Sequence, residues 1–368
     1  MSEQDTDVLL DATTALVPAL LTGIDLLQHA GRYLHPPRIP ALAEELTPHR
    51  QPLKDGLAKF EAVAWPEHLT GFAAHATRAA GAVLKGFDEF LSAPNQSNAT
   101  MAAYRALGHN TRALEDAYVL AMMLPPVSRF FLDPDAREDA ALAERLNGAD
   151  MTREHVGVLH ADNDRDSRGG FSMYVPEYYD GEAVPLVVAL HGGSGHGRSF
   201  LWTWLRAART ANAIVISPTS REGTWSLMGP DVDSENLYAM VAYAQEHWTI
   251  DPERILLTGM SDGGTFSYVS GLQSEAPFTH LAPCSASFHP MLVEVADSAR
   301  LKDLPVYLMH GALDWMFPVD VARTARDALS AAGAQVVYRE IEDLSHTYPS
   351  EENPRILRWL ATGEAPSP

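Results

Sequence analysis

The sequence has little cysteine and little positive charge. A single cysteine, Cys284, excludes an intrachain disulfide and is typical of a reducing compartment. The 27 lysine and arginine residues face 48 aspartate and glutamate residues, giving a formal net charge of -21. Nucleic acids and anionic membrane surfaces are bound by clustered basic side chains, so we expect neither as a partner.

Long apolar runs and export signals are also missing. The opening residues, MSEQDTDVLLDATTALV, lack the basic segment and the small-residue cleavage pattern of a secretory signal. We find no uninterrupted apolar stretch of about 20 residues and therefore expect no helix that spans a bilayer. Together with the single cysteine, these features predict a cytoplasmic protein.

Motifs for metals and nucleotides are absent as well. No His-x-x-x-His or Cys-x-x-Cys pair indicates zinc, and no Gly-x-x-x-x-Gly-Lys loop indicates a phosphate site. Residues 162–167 alternate carboxylates like the beginning of a calcium loop, but Ser167 and Met173 stand where such a loop needs Gly and Glu. A solvated turn explains this segment better, and we expect neither a metal nor a cofactor.

The 368 residues, 46% of them hydrophobic, predict about two globular domains. Through residues 1–150, apolar side chains recur every three or four positions, which indicates a bundle of antiparallel helices. Five helices are expected, and they begin near Leu9, at Thr47-Pro48, near Pro66, near Ser97 and at Asp133-Pro134. Pro18 should kink the first of them.

Residues 151–368 alternate short apolar runs with helical patterns. This alternation predicts an α/β domain with a doubly wound, mostly parallel sheet, and the first two strands should form an antiparallel edge hairpin because no helix separates them. The expected strands are Val156–His160, Phe171–Val175, Leu186–Leu190, Ala213–Ser217, Arg254–Thr258, Leu281–Ser285, Val306–His310 and Gln335–Ile341.

The most informative segment is Gly259-Met260-Ser261-Asp262-Gly263, which follows an apolar strand and precedes a helical pattern. A sharp strand-to-helix turn forces its central residue into strained backbone angles and leaves no room for side chains at the flanking positions. Such a turn would project the Ser261 hydroxyl above the sheet. It would also place the Asp262 N–H at a helix N-terminus, where it can help to bind an oxyanion.

Three further segments follow the order of a known family. His191-Gly192-Gly193 follows a strand upstream, His310-Gly311 leads to Asp314 and Pro318 downstream, and His346 lies between the last strand and the last helix. With the turn at Ser261, these segments resemble the α/β-hydrolase family. The resemblance implies a Ser261 nucleophile, an Asp314 acid and a His346 base. It also implies an oxyanion hole made by the N–H groups of Gly193, or alternatively Ser194, and of Asp262, with His191 orienting the loop.

Each of these residues has a competing interpretation. Ser261 could lie in an ordinary turn, and Asp314 could cap the helix expected over 319–332. His289 and His310 also follow strands, but both precede the acid and so break the family's order. Trp225, Trp315 and Phe288 lie on loops at the expected ligand-binding edge of the sheet and would bind the substrate; packing of these loops on the sheet is an equal alternative.

Residues 155–362 are most similar to the phospholipase/carboxylesterase, dienelactone-hydrolase-like and polyhydroxybutyrate-depolymerase-like groups. Serine at the nucleophile position argues against the cysteine-dependent dienelactone hydrolases, and the missing leader argues against an exported depolymerase. We therefore expect a serine hydrolase that cleaves small-molecule carboxylic esters of short to medium acyl chains. The alternative is a non-catalytic binding or oligomerisation scaffold with a relic hydrolase domain. The helices of 1–150 would cover the site as a lid, form a homo-oligomer, or simply pack on one another.

Overall fold

The computed structural model describes residues 3–365 of the chain. These residues form two compact units that divide between Arg137 and Glu138. The helix Ala140–Gly148, which the sequence pattern grouped with the N-terminal bundle, is part of the second unit. Within that unit, the guanidinium of Arg145 lies over the Tyr178 ring, 4.3 Å from the ring centroid.

The first unit is helical throughout. Its helices within the described residues are α1 Glu3–Arg32, α2 Ile39–Glu61, α3 Thr70–Ser92, α4 Ala99–Leu107, α5 His109–Leu120 and α6 Pro125–Phe130. The prediction that a helix begins at Thr47-Pro48 is wrong, because α2 already begins at Ile39 with a proline in its first turn. The helix expected from Ser97 is two helices, α4 and α5, which meet at Gly108.

Apolar stripes on the first three helices make the core of this unit. Leu16, Leu20 and Ile24 of α1 are fully buried, as are Val83 and Phe87 of α3. The backbones approach closely: a Cβ atom placed on Gly56 of α2 would lie 2.5 Å from the carbonyl oxygen of Ala15 in α1. Packing of amphipathic faces on one another therefore holds the helices together.

Helix α1 bears on the expectation that no helix spans a bilayer. Its segment Thr6–Arg32, 27 residues long, is long and apolar enough to cross a membrane by length and composition alone. Polar residues interrupt this segment, so it does not contain an uninterrupted apolar run of about 20 residues. A core helix of a soluble protein and an N-terminal signal sequence both pass the same test, and 39% of the apolar window is buried here.

The second unit is built around one mixed sheet. Its strands within the described residues are β1 Gly157–Ala161, β2 Phe171–Val175, β3 Val184–Leu190, β4 Ile214–Pro218, β5 Ile250–Met260, β6 His280–Cys284, β7 Pro305–Gly311 and β8 Gln335–Ile341. The strand order is β1-β2-β4-β3-β5-β6-β7-β8. The first strand pairs antiparallel with the second, and the second pairs antiparallel with β4, whereas the remaining pairs are parallel. The expected edge hairpin and parallel sheet are thus confirmed.

Helices lie along the connections of this sheet. They are α7 Ala140–Gly148, α8 Gly197–Phe200, α9 Leu205–Ala211, α10 Ser234–His247, α11 Asp262–Gly271, α12 Met291–Val295, α13 Ser298–Leu301, α14 Val319–Ala331 and α15 Asn353–Thr362. The central strands are buried along almost their whole length, as expected for strands covered on both faces. The strands β3 to β8 run parallel, so their carboxyl ends lie at one edge of the sheet, and the loops that follow them carry the residues singled out from the sequence.

Candidate active site

Ser261 lies between the end of β5 and the beginning of α11. Its backbone has φ 56° and ψ -119°, a strained conformation for a residue with a side chain. The flanking glycines are required by space: a Cβ on Gly259 would lie 2.5 Å from the backbone of Gly263, and a Cβ on Gly263 would lie 2.5 Å from the carbonyl oxygens of Leu190 and His191. The tight turn expected from the sequence is therefore present, and the Ser261 N–H is fixed by the carbonyl oxygen of Cys284 at 2.9 Å.

The structure brings three distant side chains together at this turn. His346 Nε2 lies 3.0 Å from Ser261 Oγ, and His346 Nδ1 lies 3.0 and 2.9 Å from the two carboxylate oxygens of Asp314. If Nδ1 carries the proton and donates it to the carboxylate, the Nε2 lone pair faces the hydroxyl. This arrangement allows the imidazole to accept the serine proton while the carboxylate holds the ring in place.

Asp314 is fixed by its own loop. Its Oδ1 accepts hydrogen bonds from the N–H groups of Met316 and Phe317, both at 2.9 Å. These residues precede α14, so the carboxylate does not cap that helix. Burial alone would raise the pKa of Asp314, but the hydrogen bonds from His346 and from the two N–H groups outweigh it and lower the pKa below the usual value. The ionised form is therefore favoured at the position where a charged partner for the imidazole is needed.

The serine is more enclosed than the sequence predicted. Ser261 exposes 7% of its surface and His346 exposes 4%, so neither side chain stands free above the sheet. Their neighbours are more open: Gly193 is exposed, and Trp315 exposes 45% of its surface. Gly193 and Trp315 therefore provide exposed surface beside the enclosed side chains.

The loop after β3 lies against the serine turn. A Cβ on Gly192 would lie 3.5 Å from the Cβ of Ser261, and a Cβ on Gly193 would lie 2.6 Å from a carboxylate oxygen of Asp262. The Ser194 N–H donates to the carbonyl oxygen of Gly223 at 3.0 Å, so this group is already occupied. Of the two candidates for the second oxyanion donor, this geometry favours Gly193.

His191 orients that loop. Its Nδ1 donates to the carbonyl oxygen of Gly192 at 2.7 Å, and its Nε2 accepts from the Ser220 N–H at 3.1 Å, which requires a neutral ring. Burial lowers the pKa of His191 to about 4 and so favours that neutral form. The expected structural role of this imidazole agrees with these contacts.

The aromatic residues differ in their placement. Trp225 is only 3% exposed, donates its indole N–H to the carbonyl oxygen of His191 at 2.7 Å and stacks on Phe266, so its position is that of the packing alternative rather than of a substrate wall. Phe288 is half-buried and packs edge-on against Tyr268. Trp315 remains at the site, because its exposed ring lies 6.3 Å from the His346 ring.

The other candidate histidines lie outside the hydrogen-bonded array. His289 Nδ1 accepts from the Met291 N–H at the start of α12. His310 is buried beneath the acid's loop, where its Nε2 donates to the carbonyl oxygen of Phe317 at 2.9 Å and lies 3.6 Å from Asp314 Oδ2. Burial lowers the pKa of His310, so this ring supports the loop in its neutral form.

Sequence patterns did not predict the role of Arg168, whose guanidinium connects three loops by hydrogen bonds. Arg168, in the hairpin between β1 and β2, donates to the carbonyl oxygen of Gly195 at 2.7 Å, to Ser220 O at 3.0 Å, to Ser220 Oγ and to the carbonyl oxygen of Glu222. It thereby connects the hairpin to the loops after β3 and β4. No local pattern indicates this role, because the partners lie 27 to 54 residues away.

No metal centre is formed within residues 3–365, since no group of three or more His, Cys, Asp or Glu side chains could hold an ion there. The array therefore consists of a hydroxyl, an imidazole and a carboxylate, next to backbone N–H groups. This donor and acceptor set is suited to attack on a carbonyl group.

Comparisons with known proteins agree with this geometry. Residues 231–362 match the family described as Phospholipase/Carboxylesterase. A bifunctional acetylxylan esterase/xylanase, XynS20E of Neocallimastix patriciarum, is 24% identical over 183 residues, which cover 46% of this chain and 25% of that protein. The chain thus spans about a quarter of the length of that relative.

Solved structures with similar folds include esterases. A thermostable esterase superposes with a TM-score of 0.46 at 22% identity, covering 55% of this chain and 61% of that one. FphF, a fluorophosphonate-binding serine hydrolase of Staphylococcus aureus, gives a TM-score of 0.45 at 15% identity, with 56% of this chain and 97% of that one covered.

The mixed sheet, the glycine-flanked turn at Ser261 and the family match over residues 231–362 all lie in the second unit. The match includes the strand before Ser261 and continues through Asp314 and His346. By these features, the second unit has an α/β-hydrolase fold, and its residues 231–362 are similar to the phospholipase/carboxylesterase family.

Proposed function

We propose that the second unit is a serine carboxylesterase that cleaves short to medium acyl esters through an acyl-enzyme. The observation that carries the proposal is the continuous chain of contacts from Ser261 Oγ through the His346 imidazole to the Asp314 carboxylate, at 3.0 and 2.9 Å. Serine is a weak nucleophile at its own pKa, so an adjacent base is the element that makes attack feasible.

In the acylation step, Ser261 Oγ attacks the ester carbonyl carbon while His346 Nε2 accepts the hydroxyl proton. The carbonyl π electrons move to oxygen, and the resulting oxyanion is bound by the N–H groups of Gly193 and Asp262. The tetrahedral intermediate then collapses: the bond to the alcohol oxygen breaks, and His346 returns the proton to the departing alcohol. Asp314 stabilises the imidazolium between these two proton transfers.

In the deacylation step, water replaces the alcohol. His346 accepts a proton from water as the water oxygen attacks the acyl carbon. When the second intermediate collapses, the bond between the acyl carbon and Ser261 Oγ breaks, His346 returns the proton to Oγ, and the carboxylic acid is released. Each oxyanion donor contributes about 2.7–4 kcal/mol of barrier reduction in comparable sites. The backbone N–H of Gly193 is supplied by a loop that Trp225 and Arg168 hold in place.

The preference for short to medium acyl chains is supported by the surroundings of the serine. Leu313, Trp315 and Met316 expose 41%, 45% and 48% of their surfaces in the loop that carries Asp314. These side chains offer a small apolar surface on the loop of Asp314, and Trp315 among them lies 6.3 Å from the His346 ring, which suits a short acyl group.

The test compares the wild-type protein with Ser261→Ala in hydrolysis of 4-nitrophenyl acetate and butanoate. We expect the variant to lose nearly all activity, and we expect a fluorophosphonate to label the wild-type protein on the peptide that contains residue 261. Ser270→Ala is the matched control, because Ser270 lies on the same helix and its hydroxyl makes only a 3.5 Å contact with Tyr238 Oη. It should retain both activity and labelling. Absence of ester hydrolysis by the wild-type protein, or labelling at another serine, would contradict the proposal.

A further inference from the structure

The side chain of Asp262 occupies a position that its backbone role does not require. Its Oδ2 lies 2.6 Å from the point that a Cβ atom on Gly193 would occupy, so the carboxylate lies directly on the exposed backbone of the loop after β3. The hydroxyl of Thr224 donates to the same oxygen at 2.6 Å and fixes the side chain there. The carboxylate is thus held beside the two N–H groups that would bind the oxyanion.

The charge of Asp262 is not neutralised by a neighbour. Among residues 3–365, no basic side chain forms an ion pair with it, and Thr224 provides the hydrogen bond that its carboxylate accepts. The side chain is half-buried, and among the described residues no hydrogen bond engages its second oxygen, Oδ1. Its position in the first turn of α11 is electrostatically favourable, because the positive end of the helix dipole is there.

Arg168 is a basic residue of this region, but it does not neutralise the charge of the Asp262 carboxylate. Arg168 directs its guanidinium to Gly195, Ser220 and Glu222, and none of its hydrogen bonds reaches Gly193 or Asp262. A bound ester therefore meets an unpaired carboxylate close to its reacting carbonyl group.

We propose that Asp262 restricts the site to esters that carry neutral or cationic groups next to the scissile carbonyl and excludes anionic ones. This inference rests on the proposed esterase function. A substrate whose carbonyl oxygen is bound by the N–H groups of residues 193 and 262 must place its acyl chain or its alcohol within a few ångströms of the Asp262 carboxylate. A second negative charge there is repelled, whereas a hydroxyl or ammonium group can donate to Oδ1.

The magnitude follows from Coulomb's law. Two negative charges about 6 Å apart, in surroundings with an effective dielectric constant of about 40, repel each other enough to lower kcat/KM about tenfold. Because Asp262 is partly open to solvent, added salt should weaken the effect.

The experiment uses two esters that differ in one charge: the 4-nitrophenyl esters of glutaric acid and of its monomethyl ester. Rates are corrected for uncatalysed hydrolysis, and the measured quantity is the ratio of kcat/KM for the neutral ester to kcat/KM for the anionic ester. We expect a ratio of about ten or more for the wild-type protein, and a ratio about tenfold lower for Asp262→Asn. This substitution keeps the backbone N–H, and the ratio cancels any effect common to both esters.

Two further variants separate the local charge from other causes. Asp262→Glu keeps the charge and should keep the preference for the neutral ester. Glu235→Gln removes one negative charge from the first turn of another helix, α10, at an exposed position, and should leave the ratio unchanged. If Glu235→Gln lowers the ratio as much as Asp262→Asn does, the net charge of the protein is responsible and the proposal is wrong.

The wild-type protein alone can also overturn the inference. Equal kcat/KM for the two esters would refute it, even if the variants fail to fold. Hydrolysis of neither ester would instead contradict the esterase proposal itself, so the two failures are distinguishable.

Discussion

Replacing Asp314 with asparagine tests the hydrogen-bonded array most directly, because the structure fixes which way the new amide must point. Oδ1 of Asp314 accepts from two backbone N–H groups, those of Met316 and Phe317, each at 2.9 Å. In Asp314→Asn the amide oxygen must remain there, since an NH2 group would face two donors. The amide NH2 is therefore directed at His346 Nδ1, which lies 2.9 Å from Oδ2.

This orientation changes which ring nitrogen of His346 carries the proton. An NH2 donor facing Nδ1 requires Nδ1 to be an acceptor, so the ring proton moves to Nε2, which can then no longer accept the proton of Ser261. We expect kcat to fall about 10⁴-fold, as when a serine hydrolase of this type is left with the wrong tautomer. The loop keeps its two N–H bonds, and we expect thermal unfolding to change little.

The assay is hydrolysis of 4-nitrophenyl acetate under saturating conditions, with Asp314→Ala measured beside Asp314→Asn. The alanine variant removes the carboxylate without imposing a tautomer, so it should be at least as active as the asparagine variant despite its larger structural change. An asparagine variant within tenfold of the wild-type rate would refute this reasoning and with it the role of Asp314.

Four other perturbations have defined outcomes. Trp315→Ala removes an exposed ring beside His346 and should raise KM for butanoyl esters several-fold more than for acetyl esters, with stability within about 0.5 kcal/mol of the wild type by denaturant unfolding. Trp225→Phe leaves the buried carbonyl of His191 without its donor, so the free energy of unfolding should fall by about 1–3 kcal/mol and kcat should fall with KM nearly unchanged. Burial lowers the pKa of His191 to about 4, against about 6.5 in the unfolded chain. The neutral His191 ring therefore contributes its full share of the free energy of unfolding above about pH 6.5. As the pH falls towards 4, the free energy of unfolding should decrease by about 3 kcal/mol. His191→Gln should flatten this part of the stability–pH curve, and an unchanged slope would contradict the assignment. Arg168→Lys keeps the charge but loses the forked donor, so kcat should fall while the protein stays folded, and added guanidinium should restore part of the activity of Arg168→Ala but none of that of Ser261→Ala.

The parts of the site that could be predicted are those governed by local geometry. Gly259 and Gly263 are required because a side chain at either position would overlap the backbone of the same turn or of β3. Their spacing around Ser261 therefore indicates the tight turn from the sequence alone. The order of the segments that contain Asp314 and His346 predicted the other two members of the array, because the loops that follow strands of a parallel sheet meet at one edge.

Boundaries within the helical unit were less predictable. The pair Thr47-Pro48 looks like a helix start, but the hydroxyl of Thr47 donates to the carbonyl oxygen of Ala43 inside α2. A proline is tolerated there because packing of the helix on its neighbours compensates for the lost backbone hydrogen bond. Local preference and tertiary packing favour different structures at this point, and the sequence shows only the first.

Long-range polar contacts were not predictable, yet they position the loop that carries Gly193, the proposed oxyanion donor. Gly193 is exposed, and a side chain at this position would overlap the carboxylate of Asp262. What holds it there is behind it: Trp225 and Ser220 fix His191, and Arg168 fixes Gly195. Each of these bonds joins segments that are adjacent only after the sheet has formed. Since oxyanion stabilisation depends on donors that do not move during the reaction, the activity proposed for Ser261 would depend on the hairpin between β1 and β2 as well as on the three residues that meet at the turn.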